Sequence, residues 1–516
     1  MPRDPYTPFD DSVYRPVLHE ISTHGIAPDL RPEQLGNEFL ASALNFVIRF
    51  GRVTRREGSS QTWPTATNDL AAAPIAFHEF ISTRSPASAV SIAATPTKFY
   101  YTQPAATGWT DVTGTARAGA ADNPVLFTSL LTASTGHRII STNDGVDFPC
   151  SWSGATTTTF LNLTTAITGG CCTSWRSHLL LGDTTVATGD GHLVTRVHWS
   201  ALGDPGTWFG TASTGILDLT DGSASRVMNF VPMRTVLVAY KEEGAYALTY
   251  RAAPFYFTPS LMHPSIGPLA RRAVAPIQTG ERHLLMTQDG VILWDGQNIK
   301  PIGRDRIDRT ILSRLNWSAR HTIWAQWMPQ HDEVWLGLPL DGATSVSSVW
   351  VYALQYDSWW ETNQPFQAVL PTRFTAGRRM TLAGRSIVRP LEALYGVTDT
   401  TSATTISSSL QLALFDYGAI EHKGIYKMHV VAGPASGASA VLKISKAGQE
   451  NPLITQTFAS AQSLTVDSAD ILPQLDFRLT NRWVSYRVEH SGAGETCQVS
   501  ALVPHLTERT GTRKAH

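Results

Sequence analysis

The sequence is short of charge. Only 16% of its 516 residues are Asp, Glu, Lys or Arg, against about 25% in ordinary soluble domains. Acids and bases nearly cancel, 42 against 41, for a net charge of −1. That balance excludes a strongly basic nucleic-acid binder and an acidic disordered tail. Long apolar runs are missing as well, and none approaches the ~18 residues that a membrane helix requires. Residues 1–11 are polar and Pro-rich, with no apolar signal core after them. A soluble, cytosol-made protein is expected.

Cysteine is scarce. Cys150, Cys171, Cys172 and Cys497 are too few and too badly spaced for a disulfide framework, and no Cys-x-x-Cys occurs. A vicinal bridge between Cys171 and Cys172 would be strained, so all four are expected to be reduced, half-buried thiols. No histidines stand at zinc-ligand spacing beside them. Helical patterning is also sparse. Residues 31–45 (RPEQLGNEFLASALN) carry apolar positions at Leu35, Phe39, Leu40 and Leu44, with Gly36 weakening the pattern. In residues 305–315 (DRIDRTILSRL), Ile307, Ile311 and Leu315 share one helical face.

What the chain has in abundance is short strands, rich in Val, Ile, Tyr, Trp and Thr and separated by explicit turns. Asn143-Asp144-Gly145, Gly189-Asp190-Gly191, Asp221-Gly222, Asp289-Gly290, Asp295-Gly296 and Asp341-Gly342 supply the positive φ of two-residue hairpins. The class is all-β. A unit recurs in which an apolar strand, a polar turn and a strand ending in Trp or Tyr follow one another. It begins at His137, His178, Thr235, His283 and Thr322, and KFYY at 98–101 opens a further candidate. Intervals of about 40 to 60 residues suit four-stranded blades of a β-propeller. A stack of β-sandwiches is the alternative architecture.

The ends differ from the middle. Residues 46–56 (FVIRFGRVTRR) form a hairpin turning at Gly51, and from Gly424 onward the strands alternate as in a sandwich of about 100 residues. The expected organisation is an N-terminal arm and hairpin at 1–65, a propeller at 66–397, and a C-terminal β-sandwich at 398–516. The two end segments together make a platform. Residues 398–409 mark a Ser/Thr-rich boundary, and residues 508–516 a basic tail.

Enzyme constellations are absent from the pattern. Glu242-Glu243 and His331-Asp332-Glu333 fall in turns, where acids face solvent. His192 and His198 are six apart, about 20 Å along one strand, too far to share a metal. No nucleophile elbow, phosphate loop or dinucleotide fingerprint appears. No catalytic residue, cofactor or metal is therefore expected. Residues 141–145 and 287–290 resemble the Asp-box hairpins of sialidase-like propellers, except that Asp and Gly are adjacent here. A carbohydrate-binding or glycan-hydrolysing propeller is the competing functional reading. Arg373, Arg378, Arg379, Arg385 and Arg389 accumulate in a stretch without acids between Glu361 and Glu392. They form a solvated loop, a partner-docking loop or a DNA contact. Fifteen Trp point to blade cores, with some excess for subunit interfaces.

Several segments resemble the tail nozzle proteins of short-tailed bacteriophages, also described as tail-tube or packaged-DNA-stabilising proteins. They are RVHWSALGDPGTW at 196–208, VAYKEEGAYALTY at 238–250, GPLARR at 267–272, DGVILWDGQNIKPIG at 289–303 and VYALQYDSWW at 351–360. GIAPD at 25–29, NFVIRFGRVTRREG at 45–58 and ERTGTR at 508–513 complete the series. The resemblance implies a propeller joined to a platform built from both termini, assembled as a ring, commonly a hexamer, below the portal and its adaptor protein. It implies a non-enzymatic virion tail component, assembled in the host cytoplasm, that retains packaged DNA and conducts it without sequence-specific contacts. Tail fibres or spikes are further possible partners.

Overall fold

The computed structural model describes residues 15–508 except 22–23, 37, 50–51, 60, 63–69, 82–88, 104–107, 135, 190, 221–224, 252, 254, 373–379, 385–389, 394–397, 400–403, 418–422, 437–438, 453–454, 468–472 and 493–494. Five self-contained antiparallel sheets of four consecutive strands follow one another. The first comprises Ala76–Ile81, Ala89–Ala94, Phe99–Thr102 and Thr110–Asp111, and the second Val125–Thr132, Gly136–Asn143, Cys150–Trp152 and Leu161–Asn162. The third runs through Ile167–Trp175, His178–Val186, His192–Trp199 and Gly215–Asp218. The fourth has Val227–Met233, Val236–Lys241, Ala245–Tyr250 and Phe257–His263, and the fifth Val274–Ile277, Arg282–Thr287, Gly290–Trp294 and Ile299–Pro301.

Two further quartets complete the circle. Trp324–Met328, Glu333–Leu338, Ser348–Ala353 and Ser358–Thr362 form a sixth meander whose last strand is shared with the platform. Ala368–Thr372, Met380–Gly384 and Leu391–Ala393 make a seventh, and Gln61–Thr62, from near the other end of the chain, supplies its fourth strand. The first strand of each quartet packs on the next, and that of the seventh returns to that of the first. This is a closed β-propeller.

The core lies between blades. Ile92, Phe99, Ile139 and Trp152 pack between the first and second blades, and Leu180, Val197, Phe230 and Leu248 between the third and fourth. Trp294, Trp324, Trp335, Trp350, Trp359 and Trp360 are fully buried, each large apolar side chain contributing ~1.5–3 kcal/mol by leaving water. The four thiols are free and buried, a correction to the half-buried expectation. Cys171 faces the core between the third and fourth blades and Cys172 that between the second and third. Neighbours on a strand point to opposite faces, so the vicinal pair cannot bridge. Burial pushes the Cys172 thiol up to about 12.

The platform is two sheets face to face. One runs Phe46–Arg49, Arg52–Arg55, Thr496–Glu508, Lys423–Ser436 and Gln474–Asn481, with Arg15–Pro16 and His19–Glu20 also paired to Thr496–Glu508. The other continues the sixth blade outward through Leu40–Leu44, Ser408–Leu412, Trp483–His490, Ser439–Gln449 and Gln462–Asp467. Propeller and platform therefore share one nine-stranded sheet.

One helix expectation is overturned. Residues 31–45 contain turns and then the strand Leu40–Leu44, inserted between Ser358–Thr362 and Ser408–Leu412. The ladder bonds offered on both sides outweigh a weak helical pattern already interrupted by Gly36. The second helix forms as Asp308–Arg314 and buries Ile311.

Candidate functional site

In the second and fourth to sixth blades, the described residues of the turn between second and third strands and of the link into the first strand lie at one end of the propeller. They surround a cavity of ≈ 340 Å³ there, lined in part by Asp144, Arg226, Glu242, Arg271, Trp317 and Arg320. Asp144 sits in the Asn143-Asp144-Gly145 turn, with φ of 53° and 79° at Asp144 and Gly145, the type I′ signature expected of that sequence.

Arg271 is the floor. It is buried, and it belongs to the link into the fifth blade. Its Nε donates to Asp144 of the second blade and its Nη2 to Asp183 of the third. Nη1 donates to the carbonyls of Val227, at 2.8 Å, and Met228, at 3.2 Å, in the fourth blade. Burial opposes its charge, but Cys171 and the two carboxylates hold the guanidinium above its ordinary value. Arg272, next in sequence, points the other way: Nη1 donates to the Ile75 carbonyl and Nη2 to that of Gln367, at the entries to the first and seventh blades. Surrounding protein lowers Arg272 to about 10, still a cation at neutral pH, although the residue keeps some exposure. Adjacent arginines thus tie six of the seven blades across the axis. Gly267 in the same segment passes so close to the backbone of Lys241 and Glu242 that a Cβ would collide with both.

Around this floor the charges are paired. Asp183 also receives His192 Nε2 at 2.8 Å and lies 3.4 Å from Arg226 Nε. The mouth is different. Glu242 and Arg320 make no side-chain hydrogen bond among the described residues, and Trp317 is 45% exposed. Trp317 opens the 3-10 turn Trp317–Thr322, which Asn316 caps by accepting from Ser318 N. Asn316 Nδ2 anchors the cap by donating to the Ala343 carbonyl at 2.9 Å.

The opposite end presents apolar side chains. Leu131, Leu202 and Phe255 are 56%, 52% and 73% exposed. They are joined through Ala133 N donating to Gly203 O, Gly203 N donating to Ser177 O, and His178 edge-on to Tyr256.

Arg373, Arg378, Arg379, Arg385 and Arg389 lie outside the described residues, as do residues 509–516. Glu242-Glu243 occupy the expected turn. His192 and His198 end on different partners, Asp183 and Thr184, and no group of three metal-ligating side chains occurs among the described residues. Glu333 departs from its solvent-facing reading. It is fully buried, pairs with Arg49 Nε at 2.7 Å, and accepts from Trp335 Nε1 at 3.2 Å. The reason is the ladder: Glu333 opens a strand instead of closing a turn. Sequence reasoning missed Arg271, Arg272 and Asp183. The signal was there in GPLARRAVAPI, two adjacent arginines in an apolar stretch with no acid beside them, which requires partners from elsewhere.

Neither a protein-family model nor a curated protein matches the sequence. Solved structures with similar architecture include Saccharomyces cerevisiae Sqt1, at 8% identity and TM-score 0.38 over 66% of this chain and 99% of that one. The extracellular domain of the putative one-component system BT4673 from B. thetaiotaomicron matches at 8% identity and TM-score 0.42, over 87% of this chain and 64% of that one. The Neurospora crassa Pan2 WD40 domain matches at 8% and 0.34, over 64% and 97%. The strand topology itself carries the fold.

Proposed function

We propose that this chain is a non-enzymatic ring component of a short phage tail, the nozzle below portal and adaptor, which retains packaged DNA and conducts it at ejection. The observation that carries the reading is the architecture: a propeller continuous with a platform to which both ends of the chain contribute, as the resembling segments imply. Those segments also fall at structural junctions. GPLARR supplies the axial arginines, VYALQYDSWW the last two strands of the sixth blade, and NFVIRFGRVTRR the platform hairpin. Because Arg271 and Arg272 bridge the propeller axis, a conduit for duplex DNA has to run between subunits. A nearly neutral subunit suits a wall along which phosphates slide, since a strongly basic one would hold them. Leu131, Leu202 and Phe255 would be buried in such a ring if this end of the propeller faces a neighbouring copy.

The test is electron microscopy with mass photometry of the full-length protein. Rings with a central channel wide enough for duplex DNA are expected, six-membered if the family pattern holds. A monomer at micromolar concentration under all assembly conditions, or turnover of glycosides by the purified chain, would sink the reading.

A further inference from the structure

Beyond the nozzle reading, and independent of it, we propose that the axial mouth is a binding site for an uncharged pyranose sugar. Three guanidinium groups (Arg226, Arg271, Arg320) and three carboxylates (Asp144, Asp183, Glu242) stand in or directly beneath the cavity. They cancel, so neither a polyanion such as nucleic acid nor a cation gains from entering. What remains to bind a ligand is the unengaged rim. Glu242 offers carboxylate oxygens as acceptors, Arg320 offers N–H donors, and Trp317 offers an indole face.

That combination fits one ligand chemistry. A pyranose has a flat C–H face that packs on an aromatic ring and hydroxyls that both donate and accept, so one carboxylate and one guanidinium satisfy neighbouring hydroxyls. Among the described tryptophans, Trp317 alone is exposed, and its capped turn fixes it at the cavity edge. The cavity, at ≈ 340 Å³, lies at the small end of ligand pockets, which start near ~300 Å³. One sugar ring fits that scale. The site binds without hydrolysing. Glycosidases need two carboxylates free to act as acid and as base or nucleophile, and here Asp144 and Asp183 are both committed to Arg271.

Saturation-transfer NMR and calorimetry on the full-length chain decide the matter, with methyl glycosides of glucose, galactose, mannose and N-acetylglucosamine as probes. N-acetylneuraminic acid and inorganic phosphate serve as anionic controls. At least one neutral glycoside should bind, and Trp317→Ala and Glu242→Gln should each weaken it by about tenfold or more with unchanged melting temperature. Absence of saturable binding by every neutral glycoside, binding indifferent to both substitutions, or selective binding of the anions would each overturn the proposal.

Discussion

The propeller is built mostly from local hairpins and the platform mostly from distant segments. Six of the seven blades are folded from strands adjacent in sequence, the seventh takes Gln61–Thr62 from near the other end of the chain, and the circle is drawn tight by Arg271 and Arg272 across the axis. The platform joins residues nearly the whole chain apart: Arg15 pairs with Leu506, and Val53 with Val499. Its buried charge centre, Arg56, likewise bridges distant segments. It donates to Asp399 and, at 2.9 Å, to Asn45 Oδ1. The two centres differ in their access to water. Asp183 is 2% exposed, whereas Asp399 keeps 14%. The axis of the propeller is the more dehydrated lock.

That difference predicts the largest effect. Arg271→Ala removes the buried cation beside Asp183, leaving it the half-exposed Arg226 and His192, takes the Arg271 hydrogen bond from Asp144, and should cost about 3–5 kcal/mol, the usual penalty for breaking a buried ion pair from one side. Arg56→Ala should cost less, because the Asp399 carboxylate can reach solvent. Urea denaturation of both variants measures the order. Equal losses, or a larger loss for Arg56→Ala, would dissolve the distinction between the two locks.

A second comparison uses acid. His283 in the propeller is fully buried, donates Nε2–H to the Pro232 carbonyl at 2.9 Å and accepts from the Tyr240 hydroxyl at 2.6 Å. His19 in the platform packs its ring 4.1 Å from Phe415 and sits 3.1 Å from the Tyr417 hydroxyl. Burial lowers both to about 4. An unfolded imidazole titrates near ~6.5, so below that pH the unfolded chain binds protons that the native one excludes. Stability is untouched above pH ~6.5 and falls as pH drops toward 4, by about 1.4 kcal/mol per pH unit for each histidine. Denaturation midpoints at pH 7 and pH 5 should separate accordingly. His283→Gln and His19→Gln should each flatten the pH profile by about one proton. If neither does, the two rings are not held neutral in the native state.

Legibility followed the same divide. Hairpin blades advertise themselves through local signals, because the Asp-Gly turns and the apolar strands around them lie within some twenty residues of one another. Hence Asp144-Gly145 and the strands ending in Trp152 and Trp294 were readable. Leu40–Leu44 was not, since it becomes a strand only where Ser358–Thr362 and Ser408–Leu412 offer free ladder groups. Glu333 was misread for a related reason: its partner Arg49 is distant in sequence, so local context suggested only a turn. The axial site was the least legible part. Arg271 could be suspected of needing acids, but nothing in the sequence says that Asp144 and Asp183, on two other blades, would meet it.

The smallest expected effect tests whether geometry or burial sets the strength of such pairs. Arg196 and Asp218 face each other across the outer strands of the third blade. They form two hydrogen bonds, Nε to Oδ1 at 2.7 Å and Nη2 to Oδ2 at 2.9 Å. This is a bidentate fork on one carboxylate, whereas Arg271 gives a single bond to each of Asp144 and Asp183, and the hydrogen bonds from Arg196 hold the Asp218 carboxyl below its ordinary range. Asp218, however, is 40% exposed. Water therefore solvates either partner once the other is removed, and Asp218→Asn should cost no more than ~1 kcal/mol, with the loss shrinking further in high salt. A loss approaching that of Arg271→Ala would mean that close charge-assisted hydrogen bonds are strong without dehydration, and that burial at the axis is not what makes the propeller's central lock strong.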